Sequence, residues 1–180
     1  GIDKGMYLFR KGKKGDLRVQ LMGSGSIFRE VIAAADILAE DFDVQADIWS
    51  VLGINQLHHQ GMLVEDWNRK HPGEQAKRSY VEETLEGYDG PAIISTDYVQ
   101  AYVEQLRRFV PNKLTVLGTD GFGRSDSRAK LRDFFGVDRY HVVIAALKAL
   151  ADEEKIALTE VEKALKKYKI DTESAHSIKR

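Results

Sequence analysis

Four times along this chain a short apolar, β-branched run gives way, past glycine or small polar residues, to a segment whose apolar residues recur at helical spacing. Arg18–Met22 precedes the segment carrying Ile27, Val31, Ile32, Ala35, Ile37 and Leu38. Ala46–Leu52 precedes a helix from about Asn55. Pro91–Thr96 precedes Val99, Tyr102, Val103, Leu106 and Phe109. Leu114–Leu117 precedes Leu131, Phe134 and Phe135. A run of four to eight β-branched residues suits a buried strand, and apolar residues three and four apart suit one face of a helix. Strand–helix units with short connections leave one economical solution. Each helix carries the chain back so that successive strands run parallel, and helices cover both faces of the sheet. The expectation is an α/β fold, layered α/β/α, with a mostly parallel sheet.

The boundaries follow from caps and composition. Met6–Phe9 has the pattern of a short strand, and Arg10–Asp16 is a basic, glycine-containing turn, so residues 1–16 are expected as a linker. Residues 17–171 form the domain, and the polar stretch 172–180 is expected as a loose tail. Ser26 is expected to cap the first helix, with Glu30 near its first turn. Ser79 and Glu82 have capping-box spacing for a short helix over Tyr80–Leu85. Asp97, Ser125 and Asp138 are expected as further N-caps, with Asp126 early in the helix after Ser125. Val142–Leu147 is apolar all round, so its helix is expected to be buried on more than one side. Ala157–Tyr168 has the pattern of a charged amphipathic helix, and Leu63 and Trp67 sit four apart as anchors.

Several chemistries find no support in these 180 residues. The net charge of -1 favours neither nucleic acid nor anionic membrane. No apolar run approaches the ~18 residues of a membrane span. The absence of cysteine excludes disulfides and thiolate chemistry, and fits a cytoplasmic location. His58 and His59 point about 100° apart on a helix and cannot face one metal together, so no metal site is expected. There is no Gly-x-Ser-x-Gly elbow and no Gly-Lys-Ser/Thr, and hence no catalytic residue is assigned. Two glycine loops remain, each between a strand and a helix start, where backbone N–H groups favour anions. The stronger is Asp120, Gly121, Phe122, Gly123, Arg124, Ser125 and Arg128; the weaker is Ser24, Gly25 and Ser26. The arginines suit a carboxylate or phosphate, or pair with Asp120, Asp126 or a neighbouring subunit.

Five stretches recur together in one family: Val19–Ser26, Asp47–Val51, Asp66–Asn68 with His71–Pro72, Ser95–Tyr98, and Val116–Arg128. With them the chain resembles the carboxy-terminal domain of the homodimeric, bacterial pyruvate dehydrogenase decarboxylating component, a transketolase-like family. The resemblance implies a five-stranded, mostly parallel sheet. It also implies amino-terminal and middle domains of the same subunit that precede residues 1–16 and hold thiamine diphosphate and Mg2+. A homodimer partner and the dihydrolipoyl acetyltransferase component complete the implied partners. The parent would decarboxylate pyruvate, linking glycolysis to acetyl transfer, while this domain serves as scaffold. No cofactor-binding residue carries over, because the family's Gly-Asp-Gly with its later Asn-Asn is absent. Two departures from the family pattern stand out: Leu52–Leu57, where Thr-Ser-Phe and Asn-Glu-Leu are usual, and Gly136, where glutamate is common. The alternative is a stand-alone module binding an anion or nucleotide at the helix starts. An exposed Phe122 is the feature that favours an interface over a core role for the glycine loop.

Overall fold

The computed structural model of the chain describes residues 2–179; Gly1 and Arg180, at the ends of the expected linker and tail, lie outside the described residues. Five strands form one sheet: β1 (Met6–Arg10), β2 (Leu17–Gly23), β3 (Val44–Val51), β4 (Ala92–Ser95) and β5 (Leu114–Leu117). Their order is β1-β3-β2-β4-β5, with β1 antiparallel and every other pair parallel. Residues 6–10 of the segment expected as a linker are therefore an integral edge strand. Tyr7 and Leu8 sit beside Ser50 and Trp49.

The helices follow the sequence pattern, with shifted ends. They are α1 (Phe28–Phe42), α2 (Ile54–Lys70), α3 (Tyr80–Thr84), α4 (Gln100–Glu104), α5 (Arg128–Phe135), α6 (Arg139–Asp152) and α7 (Leu158–Lys167). Side chains alternate across the central strands, as the pleat requires. Val19, Leu21, Ile48 and Ile93 face the cluster built with α1, α6 and α7. Met22, Trp49, Val51 and Ile94 face the opposite cluster with α2, α3 and α4. The apolar centre of α6 is buried among α1, α7 and the sheet, as its lack of a polar face anticipates. Leu63 is instead exposed, and Trp67 stacks on His71 at 4.2 Å under the Lys77 ammonium.

Five cap expectations resolve as follows. The Ser79–Glu82 capping box and the Asp138 cap form as the sequence anticipates. Ser26 does not cap α1, because a single 3-10 turn over Gly25–Ile27 intervenes, with Ser24 at its start. Ser125 does not cap α5: Ser127 does, accepting from the Lys130 N–H at 3.4 Å. Asp97 does not cap α4. The first amide of α4, on Gln100, donates to Asp120 from the neighbouring loop at 3.2 Å, a partner 20 residues away that local spacing cannot reveal. The segment expected as one helix through Phe109 divides into α4 and a 3-10 turn over Arg107–Phe109. Gly136 ends α5 at φ +66°, a left-handed position where a glutamate would be strained, so this family departure suits the backbone here.

A buried polar cluster centres on Asp47. The Asp47 side chain has 0% exposure, and its two carboxylate oxygens accept Arg18 Nη2 at 2.8 and 2.7 Å. The Gly12 N–H donates to Oδ1 at 2.9 Å, and Gln20 Nε2 donates to Oδ2 at 3.0 Å. Gln20 in turn accepts the Trp49 indole N–H at 2.9 Å. The basic turn after β1 is thereby tied to β3 through a buried carboxylate, as the need to satisfy a buried charge demands.

Candidate functional site at the carboxyl ends of the parallel strands

Three loops leave the carboxyl ends of β2, β4 and β5 side by side, and hydrogen bonds join them. After β2, the Ser24 and Thr96 hydroxyls bond each other at 2.8 Å inside the domain. Gly25 takes φ +60°, and a Cβ there would lie 2.6 Å from Asp97 Oδ1. The Ser26 amide and hydroxyl donate to Asp97 Oδ2 at 3.3 and 3.1 Å. The glycine loop expected as the weaker anion cradle thus holds a carboxylate of the chain itself. Thr119 closes the circuit, its hydroxyl donating to the Asp97 carbonyl and its amide to the Tyr98 carbonyl at 2.9 Å.

The polar tail folds back onto the loop after β5. Ser177 is 3% exposed, and its hydroxyl donates to the Asp120 carbonyl at 2.6 Å. Gly121 stands at φ +102°, with space for no side chain, because a Cβ would meet the Ser177 carbonyl oxygen at 2.6 Å. The far end of the expected loose tail is therefore packed. Its composition could not show this, because a single serine and two backbone groups make the attachment. Ser177→Ala is expected to cost about 1 kcal/mol. That corresponds to a fall in Tm of roughly 2–4 °C for a domain of this size. It should also speed amide exchange over residues 119–123; hydrogen exchange read by mass spectrometry checks this.

Between these loops and α5 lies an open cavity of about 480 Å³. Ile27, Leu131, Phe135 and Val137 give its apolar lining, and Asp97, Arg128 and Arg132 also border it. Arg132 is committed: its Nη1 donates to Glu30 Oε1 at 3.0 Å. Glu30, 5% exposed, also accepts the Arg139 amide at 2.9 Å and the Arg139 side chain at 3.0 and 3.2 Å. Burial pushes the Glu30 carboxyl up, but the Arg139 bonds and charge, with Arg132, outweigh it and hold the group below its usual range. Sequence inspection takes Glu30 for a residue near the dipole of α1. Its burial between two arginines more than 100 positions away has no local signature.

The sequence-selected loop residues divide clearly. Asp120 caps α4, and Gly121 admits the tail. Arg124 lies over the Phe134 ring at 4.4 Å. Gly123 borders the cavity, while Ser125 is exposed. Phe122 is 84% exposed, and Tyr98, Val99 and Ile178 are also exposed on the connected segments. Arg128 is exposed, and its side chain has neither an ion pair nor a hydrogen bond among the described residues. Leu52, in the family-variant segment, is exposed at the end of β3.

Comparisons with known proteins place this arrangement. The transketolase-like TK C-terminal domain family model matches residues 5–138. The pyruvate dehydrogenase E1 component of Pseudomonas aeruginosa is 56% identical over 180 residues, 99% of this chain and 20% of that protein. The Cupriavidus necator protein of the same name is 55% identical over 94% of this chain and 19% of its own length. The Escherichia coli one is 45% identical over 98% and 20%. The chain thus spans about a fifth of the length of these relatives. Among solved structures, Campylobacter jejuni transketolase superposes with a TM-score of 0.55 at 20% identity, over 82% of this chain and 19% of that one. A Pichia stipitis transketolase gives 0.56 at 18% identity, over 84% and 19%. These likenesses agree with the mostly parallel five-stranded sheet. The chain belongs to the transketolase-like C-terminal domain family.

Proposed function

We propose that this chain is the scaffold and dimer-interface domain of a homodimeric, cytoplasmic pyruvate dehydrogenase dependent on thiamine diphosphate. In this reading the parent decarboxylates pyruvate, the product of glycolysis, and passes the acetyl group to a lipoyl group of the dihydrolipoyl acetyltransferase partner. The observation that carries the reading is identity of up to 56% across nearly the whole chain to proteins named pyruvate dehydrogenase E1 component. A second observation supports the scaffold role. Phe122 is exposed beside arginines, on a loop held rigid by Asp120, Thr119 and Ser177, and an exposed aromatic on a braced loop is a typical interface anchor.

The residues of this chain do not fit thiamine diphosphate with magnesium. Magnesium takes oxygen ligands in a near-octahedral set shared with phosphates. The buried carboxylates Asp47 and Glu30 are both saturated by arginine and amide donors. The one group of three ligand-bearing residues among those described is Asp133, Asp138 and His141. It contains an imidazole, and Asp138 already caps α6 while bonding the His141 ring at 2.7 Å. In the proposal, the cofactor and the chemistry belong to parts of the parent outside this chain.

The test uses the full-length protein. Pyruvate-dependent acetylation of a lipoyl domain and a dimer by native mass spectrometry are expected. Phe122→Ser should shift the dimer toward monomer and lower the rate several-fold. A native gene product of only this chain's size, or a full-length protein inert toward pyruvate, overturns the reading.

A further inference from the structure

The open cavity carries an inference independent of the pyruvate dehydrogenase reading. We propose that the crevice walled by the β2, β4 and β5 loops and α5 binds a small carboxylate with an apolar body, the carboxylate on Arg128 and the body on Ile27, Leu131, Phe135 and Val137.

Position argues for it first. From β2 the chain crosses to β3 on one side, while β4 and β5 lie on the other. The strand order therefore reverses between β2 and β4, and the crevice opens where the loops after these two strands diverge. Open α/β sheets offer ligand sites at such a point, outside the carboxyl ends of the strands, because adjacent crossovers go to opposite faces and leave a gap. Size agrees: about 480 Å³ lies within the range of small-molecule pockets and exceeds what one protein side chain fills.

The chemistry of the walls selects the ligand class. The lining combines the aliphatic Ile27, Leu131 and Val137 with the ring of Phe135. The polar groups there are almost all committed. Arg132 belongs to Glu30, and Asp97 accepts from Ser26. Arg128, the first residue of α5, is the cation left over. It stands where the unpaired amides of the helix start add to its positive potential. A charge-assisted, two-pronged bond to a carboxylate is what a guanidinium offers. The weaker loop, Ser24–Ser26, and the stronger one, Asp120–Arg128, thus meet at one crevice. Only the second has a free cation, because Asp97 already occupies the first.

The experiment titrates 3-phenylpropanoate into the full-length protein, with 3-phenylpropanamide as the uncharged analogue, using ligand-observed NMR and hydrogen exchange over residues 118–136. The expected result is a Kd of about 1 mM or tighter, slower exchange in that segment, and at least about tenfold weaker binding of the amide. Arg128→Gln should remove that preference for the acid. Leu131→Trp, which takes up part of the apolar half of the crevice and leaves Arg128 in place, should weaken binding at least about tenfold. Circular dichroism confirms that both variants fold, and Arg128→Lys, which keeps the charge, should retain part of the affinity. No binding at about 10 mM, equal affinity for acid and amide, or undiminished binding by Arg128→Gln or Leu131→Trp overturns the assignment. Acetyl-transfer activity is measured separately, so failure of this site and failure of the parent's proposed reaction are told apart.

Discussion

Replacing Asp47 by alanine is expected to destabilise the domain by about 4 kcal/mol, because it removes a buried acceptor shared by a guanidinium, a side-chain amide and a backbone N–H. The Asp47 carboxylate is fully buried between Arg18, Gln20 and the Gly12 amide. Its removal leaves the partly buried Arg18 guanidinium with only the Lys13 carbonyl, at 2.7 Å. Gln20 loses one of the two acceptors that orient it toward the Trp49 indole and keeps the Asp89 carbonyl, at 2.8 Å. Leaving charged and amide donors unpaired costs more than the net worth of the bonds. Chemical denaturation of wild type and variant measures the loss. Asp47→Asn should cost less, since the amide oxygen still accepts from Gly12 or Gln20. A loss below about 1 kcal/mol for Asp47→Ala would show that the turn over residues 10–16 rearranges to rescue the donors.

Glu30→Ala is expected to cost a similar amount, about 3–4 kcal/mol. Its consequence reaches the crevice. Glu30 binds Arg132 of α5 and the first residue of α6, Arg139, so it pins the corner between these two helices to α1. Without it the α5 wall loses its anchor, and exchange over residues 128–139 should quicken along with the fall in stability. The pH dependence has a definite sign. Burial raises the Glu30 pKa, the two arginines lower it by more, and the folded value lies below the ordinary 4.5. The stabilisation is therefore complete above about pH 4.5 and is lost as pH falls through the folded value. The stability gap between wild type and Glu30→Gln should narrow below pH 4.5 and stay constant above it, as thermal melts at several pH values would show.

The strand–helix alternation, the strand positions, the sidedness of α1 and the all-round burial of α6 were legible in the chain because they rest on local sequence pattern. Val19 and Leu21 against Gln20 and Met22 already assign the two faces of β2. Helix ends were less legible. Ser26, Asp97 and Ser125 have good capping chemistry, but each stands one to three residues from a backbone position decided by packing against another loop. The Ser79–Glu82 box, whose two bonds are both local, formed as anticipated.

The glycine loop shows the same division within a single segment. Sequence alone determined that a glycine-rich loop follows β5, that it carries arginines and an aromatic, and which family its string resembles. The tertiary structure decided what each residue does there. It gave Asp120 to α4, Gly121 to the tail and Arg124 to Phe134, and it left Phe122 exposed and Arg128 at the mouth of the crevice. It also buried Glu30 and Asp47 with arginines that local spacing did not pair with them. The reason is physical. Periodicity and turn chemistry act over a few neighbouring residues, whereas the pairing of a charge depends on which distant segments the folded chain brings within about 3 Å of it.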